Sequence, residues 1–159
     1  MFLRVIFLDV DGVLNNDETN DRTPGGFVGV SDVLLDRLST IVEKSLAKIV
    51  LTSTWKEYWN HDDALCDSDG LYLSNRLNQF GLTIMDKIED VNGSYYRGRG
   101  IKKYLDDHKN IVGYVILDDL EFDFSSHKDL LEHLVSTNGS EGLTENDIAT
   151  AIQILRKDV

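Results

Sequence analysis

The chain has 159 residues, 42% hydrophobic and 28% charged, an ordinary balance for a globular protein and enough chain to bury a sizeable core. Its 28 acidic residues against 16 basic ones give a net charge of −12, which excludes an extended, non-specific surface for nucleic acid. No apolar run approaches a membrane span and no signal peptide is visible, while the single Cys66 excludes an internal disulfide. One domain over residues 1–159, in the cytoplasm, is the expectation.

The first predicted element is a strand, Leu3 to Leu8, apolar apart from Arg4 and rich in β-branched and aromatic residues. Its lack of alternation fits a strand covered on both faces of a parallel sheet. It runs into Asp9-Val10-Asp11-Gly12, where extended geometry turns carboxylates at i and i+2 the same way, about 7 Å apart. Two like charges held so close need a neutralising cation or act as an acid/base pair. Asn16 to Gly29, with Pro24-Gly25-Gly26, reads as a loop or short hairpin flap over this strand end.

A helix is predicted from Ser31 or Asp32 through Val42, with Leu34, Leu35, Leu38 and Ile41 on one face. Lys48 to Ser53 is a second strand ending in hydroxyls. Thr54 to Trp59 opens a helix, Leu71 to Phe80 forms another, and Leu82 to Met85 is a short third strand. Arg97 and Arg99 precede a helix over Ile101 to His108. Tyr114 to Asp119 is a fourth strand, again ending in two carboxylates, and Leu130 to Ser136 a fifth. Thr144 caps a last helix reaching Leu155. Alternating strands and helices predict an α/β fold, a three-layer Rossmann-like parallel sheet with helices on both faces. Such a sheet gathers the carboxyl ends of its strands at one edge, where ligands bind. There Asp9, Asp11, Thr52, Ser53, an arginine and Asp118-Asp119 suit phosphoryl transfer to a carboxylate. One aspartate attacks, another donates a proton, and hydroxyl and guanidinium groups hold the phosphoryl oxygens. Remaining carboxylates suit Mg²⁺.

Asp9-Val10-Asp11-Gly12-Val13, Leu51-Thr52-Ser53, a basic residue and Leu117-Asp118-Asp119, in that order, resemble the haloacid dehalogenase (HAD) superfamily of phosphohydrolases over essentially the whole chain. Leu51-Thr52-Ser53-Thr54-Trp55, Arg97-Gly98-Arg99-Gly100-Ile101 and Gly142 to Ile148 resemble, more narrowly, the HAD domain of Swiss Army Knife RNA-repair proteins. The resemblance implies Asp9 as nucleophile and metal ligand and Asp11 as general acid/base, its backbone carbonyl also facing the metal. It implies phosphate binding by Thr52, with Ser53 beside it, and by a basic residue. For that position Arg97 is preferred on spacing to Ile101, with Arg99 and Lys102 as alternatives. Asp119 corresponds to the other metal ligand and Asp118 to a neighbour orienting a metal-bound water. Mg²⁺ is the implied cofactor.

Other residues have plainer readings. Trp55 and Trp59, spaced i and i+4, are expected in the core rather than as a base-stacking platform. Asp123 is expected to be a loop residue. His61-Asp62-Asp63 with Cys66, Asp67 and Asp69 fits neither a zinc pattern nor a calcium loop and is expected to be solvated. Two functional classes remain: an Mg²⁺-dependent phosphatase and a receiver-like phospho-acceptor that does not hydrolyse. The spacer between Asp9 and Asp11 and the Asp118-Asp119 pair favour the phosphatase. No stretch is long enough for a substantial cap domain, so the strand edge is expected to admit a phosphorylated substrate as bulky as a nucleic-acid end. A small nucleotide or sugar phosphate is the runner-up.

Overall fold

A computed structural model describes residues 1–159. Strand β1 (Leu3–Leu8) lies at the centre of a five-stranded sheet with β2 (Lys48–Leu51), β3 (Ile84–Lys87), β4 (Ile111–Asp118) and β5 (Leu134–Ser136). The order is β3-β2-β1-β4-β5, every neighbouring pair parallel. Helices α1 (Asp32–Ser45), α2 (Ser68–Asn78), α3 (Arg97–Asp107), α4 (Lys128–Leu131) and α5 (Glu145–Leu155) complete three layers. The architecture is the α/β, Rossmann-like sheet expected from strand-helix alternation, without an apparent cap.

Period-2 geometry divides the apolar run of β1 between two cores. Ile6 and Leu8 face a core built with Leu34, Leu35, Leu38 and Ile41 of α1, Leu73 and Leu77 of α2, and Ala151 and Leu155 of α5. Val5 and Phe7 face the other, with Ile101 and Tyr104 of α3 and Leu130 of α4. Helix α1 ends where Leu46 adopts a left-handed conformation, φ 58°. Thr144 and Asp147 exchange side-chain and backbone bonds in a capping box that starts α5.

Register aligns the strand ends. Leu8 pairs with Leu51 on one side and with Leu117 on the other. Asp9, Thr52 and Asp118 therefore leave three adjacent strands at one level.

Helix α2 and strand β4 each begin three residues earlier than predicted, and four other elements differ more. Thr54–Glu57 is a single 3₁₀ turn rather than the opening of a longer helix, with Ser53 Oγ accepting from the Trp55 N–H. Strand β3 lies two residues later than predicted, because Gly81, φ 72°, and a bond from the Leu82 N–H to Leu77 O finish the preceding helix. The run Leu130 to Ser136 divides between the one-turn α4 and β5. Buried Leu130 packs against the α3 side of the sheet, and apolar periodicity alone does not separate a short helix from a strand. Helix α3 starts at Arg97, so Arg97 and Arg99 lie in its first turn rather than before it. The cause is distant: the Asp123 carboxylate accepts from the N–H groups of Gly98 at 2.6 Å and Arg99 at 3.1 Å.

Candidate active site

Asp9 continues the β1 ladder, its N–H donating to Leu117 O, and its side chain is buried at the carboxyl edge of the sheet. Asp118, the last residue of β4, is fully buried beside it, and Asp119 follows half-exposed. Carboxylate oxygens of Asp9, Asp118 and Asp119 all lie within 4.8 Å of one another. One cation reaches two of them. Arg97 Nη1 stands 2.7 Å from Asp118 Oδ2 and 3.2 Å from Asp9 Oδ1, and the guanidinium lies over the Phe122 ring at 4.1 Å.

Three carboxylates against one guanidinium leave the cluster acidic. Burial, then the Asp118 charge, drive the Asp9 carboxyl well above the ordinary carboxylate range; Arg97 opposes them and Asp119 adds to them. Burial also raises Asp118, opposed by Arg97. A further cation would relieve both. Close-set oxygen donors of this kind suit a hard divalent ion such as Mg²⁺, so the residues fit one.

The glycine of the first loop is required by this cluster. Gly12 has φ 79°, and a Cβ there would fall 2.3 Å from Asp119 Oδ2. Its carbonyl accepts from Thr137 Oγ1 at 2.7 Å, which ties the Asp-x-Asp-Gly turn to the segment after β5.

Asp11 leaves the turn in another direction. It is exposed and its carboxylate is not part of the acidic cluster. Asn15 Nδ2 donates to Asp11 Oδ1 at 2.8 Å and Trp55 Nε1 donates to Oδ2 at 3.2 Å. Asn15 Oδ1 in turn accepts from the Gly12 N–H.

The hydroxyl strand also ends here. Thr52 and Ser53 are buried; Ser53 Oγ caps the following turn, whereas Thr52 Oγ1 has no partner. Arg97 Nε is likewise buried without a partner. An unsatisfied buried donor costs about 1–3 kcal/mol, so one at the end of β2 and another at the start of α3 are features that need a reason. Arg99 is exposed and stacks on Tyr96, and Lys102 pairs with Asp129 at 2.9 Å, so Arg97 is the basic residue that reaches Asp9.

Residues 5–148 match the family described as "HAD domain in Swiss Army Knife RNA repair proteins". The chain belongs to this family. No curated protein matches it. Membership in the HAD family points to a phosphohydrolase, and the acidic cluster is a place where such a domain could hold a metal.

Some residues of this HAD domain's site carry no local signal in the sequence. Trp55 and Trp59 are both in the core, as expected, but Trp55 also reaches Asp11 through its indole N–H. The 3₁₀ turn ends at Glu57, so the two tryptophans do not share one helix face. Asp123 is buried and holds the helix that carries Arg97. Asp69, expected in a solvated loop, is buried and accepts from the Gly25 N–H at 2.9 Å. No helix is long and apolar enough to cross a membrane.

Proposed function

We propose that this domain is an Mg²⁺-dependent phosphomonoester hydrolase that works through an aspartyl-phosphate and acts on a terminal phosphate of a nucleic acid. The observation that carries the reading is the division between Asp9, buried against Arg97 near the unpartnered Thr52 hydroxyl, and Asp11, held outside the cluster by Trp55 and Asn15. Nucleophile and proton donor need such different surroundings.

In this reading a carboxylate oxygen of Asp9 attacks phosphorus and the bond from phosphorus to the leaving oxygen breaks. Asp11 gives that oxygen its proton. Asp11 then takes a proton from water as the water oxygen attacks phosphorus, which releases inorganic phosphate and restores the Asp9 carboxylate. Thr52, with Ser53 beside it, and Arg97 hold the phosphoryl oxygens in place. Asp9, the Asp11 backbone carbonyl and Asp119 are the residues that would hold Mg²⁺, which when bound supplies positive charge for the carboxylates and the phosphoryl group. Asp118 fixes Arg97.

The terminal-phosphate reading rests on the uncapped strand edge and on the RNA-repair description of the family. With a net charge of −12, contacts to the rest of a nucleic-acid strand are few and local. A single cysteine and a phosphorylated substrate fit a cytoplasmic setting, which the reading adopts.

Phosphate release from p-nitrophenyl phosphate, mononucleotides, sugar phosphates and phosphorylated oligonucleotides tests it. Multiple turnovers with Mg²⁺, and none in excess EDTA, are expected. One stoichiometric phosphorylation without turnover would instead identify a receiver-like module. Lower kcat/KM on oligonucleotides than on sugar phosphates would remove the nucleic-acid end as substrate. The metal also acts on stability, since a ligand of the folded state at a hundred times its Kd adds about 2.7 kcal/mol. An unchanged Tm on adding Mg²⁺ would argue against a metal at these carboxylates.

A further inference from the structure

Beside Asp11 the molecule has a cavity of about 320 Å³ to which Arg97 does not contribute. Its lining includes Asp11, Phe27, Val28, Trp55, Tyr58 and Asp69. That volume lies at the small end of the roughly 300–1,000 Å³ typical of small-molecule sites. Its walls are three aromatic rings, a valine and Thr54, and its charged groups are carboxylates alone.

The rim is built rather than loose. Phe27 and Val28 belong to the flap, within which an antiparallel bridge joins Arg22 and Val28. Asp69, from the first turn of α2, accepts from the flap's Gly25 N–H at 2.9 Å. A Cβ at Gly25 would lie 2.5 Å from Asp69 Oδ2, so glycine is what allows the flap this close. The Tyr72 hydroxyl donates to Asp21 within the flap and accepts from the Val30 N–H just after it. Phe27 is nevertheless 57% exposed, an unusual place for a phenyl ring that helps no core.

We infer that this cavity receives the nucleobase of the nucleotide whose phosphate is removed, flanked by Phe27, Trp55 and Tyr58. The inference rests on the phosphohydrolase reading for the place of Asp11. A general acid touches the leaving oxygen, so what adjoins Asp11 on its open side is the leaving group. Two carboxylates in the lining repel a phosphate, which belongs with Arg97 and Thr52, and admit a neutral group. The flat apolar walls select an aromatic one, because unpaired bases stack on aromatic side chains whatever their sequence. Asp69 selects among aromatics. Buried and without a basic partner, its carboxylate is an acceptor suited to the N–H groups at the edge of a base, which a phenyl ring lacks. One base per site also fits the acidic surface, since stacking needs no tract of phosphate contacts.

The test compares substrates that share a sugar and differ in the base. Nucleoside 5′- and 3′-monophosphates are expected to exceed ribose 5-phosphate in kcat/KM by at least tenfold with Mg²⁺ present. Phe27→Ala should reduce that ratio at least fivefold, and Phe27→Tyr should restore most of it. Equal kcat/KM with and without a base, a ratio indifferent to Phe27→Ala, or preference for a phosphotyrosine peptide over every nucleotide would each overturn the inference. A second measurement needs no catalysis: adenosine or guanosine, carrying no phosphate, should quench the fluorescence of Trp55 and do so more weakly in Phe27→Ala. If no monoester is hydrolysed, the phosphatase reading fails while this binding still decides the cavity; absence of any nucleoside binding overturns it.

Discussion

The two sides of the site are built by opposite means. On the Arg97 side, Asp9, Asp118 and the guanidinium are buried, and the contacts that hold them come from β1, β4 and α3. On the Asp11 side the carboxylate is exposed, steadied by Trp55 and Asn15, and opens on a cavity roofed by the flap. The chemical demand differs in the same way. A phosphoryl group is identical in every substrate and calls for fixed, desolvated charges, whereas the leaving group varies and calls for an adaptable wall. Loss of the buried cation should therefore cost fold as well as rate, whereas changes on the open side should cost rate in proportion to the leaving group.

The largest expected effect is Asp9→Asn. An amide is a poor nucleophile, and turnover should fall by about 10⁴-fold or more, roughly 5.5 kcal/mol at 1.36 kcal/mol per tenfold. The fold should survive, since the change removes one charge from an acidic cluster whose burial opposes it. A variant keeping a tenth of the parent rate would take Asp9 out of the nucleophile's role.

Next in size is Arg97→Met, which tests the buried side through stability. It leaves Asp9 and Asp118 without their cation, and breaking a buried pair typically costs about 3–5 kcal/mol. Urea denaturation should report a loss of that order without added metal. Lysine should not restore it fully, because one Nη1 serves both carboxylates from a planar guanidinium stacked on Phe122. Adding Asp118→Asn to Arg97→Met should recover part of the loss; strictly additive losses would show that the two side chains do not work as a pair.

On the open side, Asp11→Asn should slow hydrolysis of alkyl phosphates by about a hundredfold, within the usual range for general acid catalysis. Nitrophenyl phosphate, whose leaving oxygen needs less help, should lose much less. Equal losses on both substrates would mean that Asp11 does not protonate the leaving group.

The same division describes what the sequence discloses. The central strand was legible because a buried parallel strand writes itself as an unbroken apolar run, and Asp9 and Asp11 because their spacing is local. Asp118 and Asp119 were visible for the same reason. The start of α3 was not. No residue just before Arg97 caps the helix with its side chain; the cap comes from Asp123, beyond β4. Trp55 looked like core and is core, but its N–H reaches Asp11 only because the turn after β2 stands beside the turn after β1. Asp69 was hidden in a polar stretch because its partner is the backbone of Gly25. What sequence periodicity misses here is each contact between a side chain and a distant backbone or carboxylate.

The smallest expected effect, Asp123→Ala, falls where stability and rate can be separated. The carboxylate accepts from two backbone N–H groups in the first turn of α3, and His127 Nε2 stands 3.5 Å from it. Removing such a cap costs about 1 kcal/mol, in a range of roughly 0.5–2, and for a chain of this size each kcal/mol lowers Tm by about 2–4 °C. Gly98 and Arg99 would then present unsatisfied donors in a turn that also carries Arg97. A loosened first turn moves the guanidinium relative to Asp9 and Asp118, so kcat should fall by more than the change in folded population accounts for at 25 °C. Asp123→Asn, which keeps one good acceptor, should recover much of both. Thermal melts and kcat at saturating substrate, taken on the same preparations, check this. If the melting temperature drops as expected while kcat stays at the parent value, Asp123 only caps the helix, and the position of Arg97 is secured by its ion pairs alone.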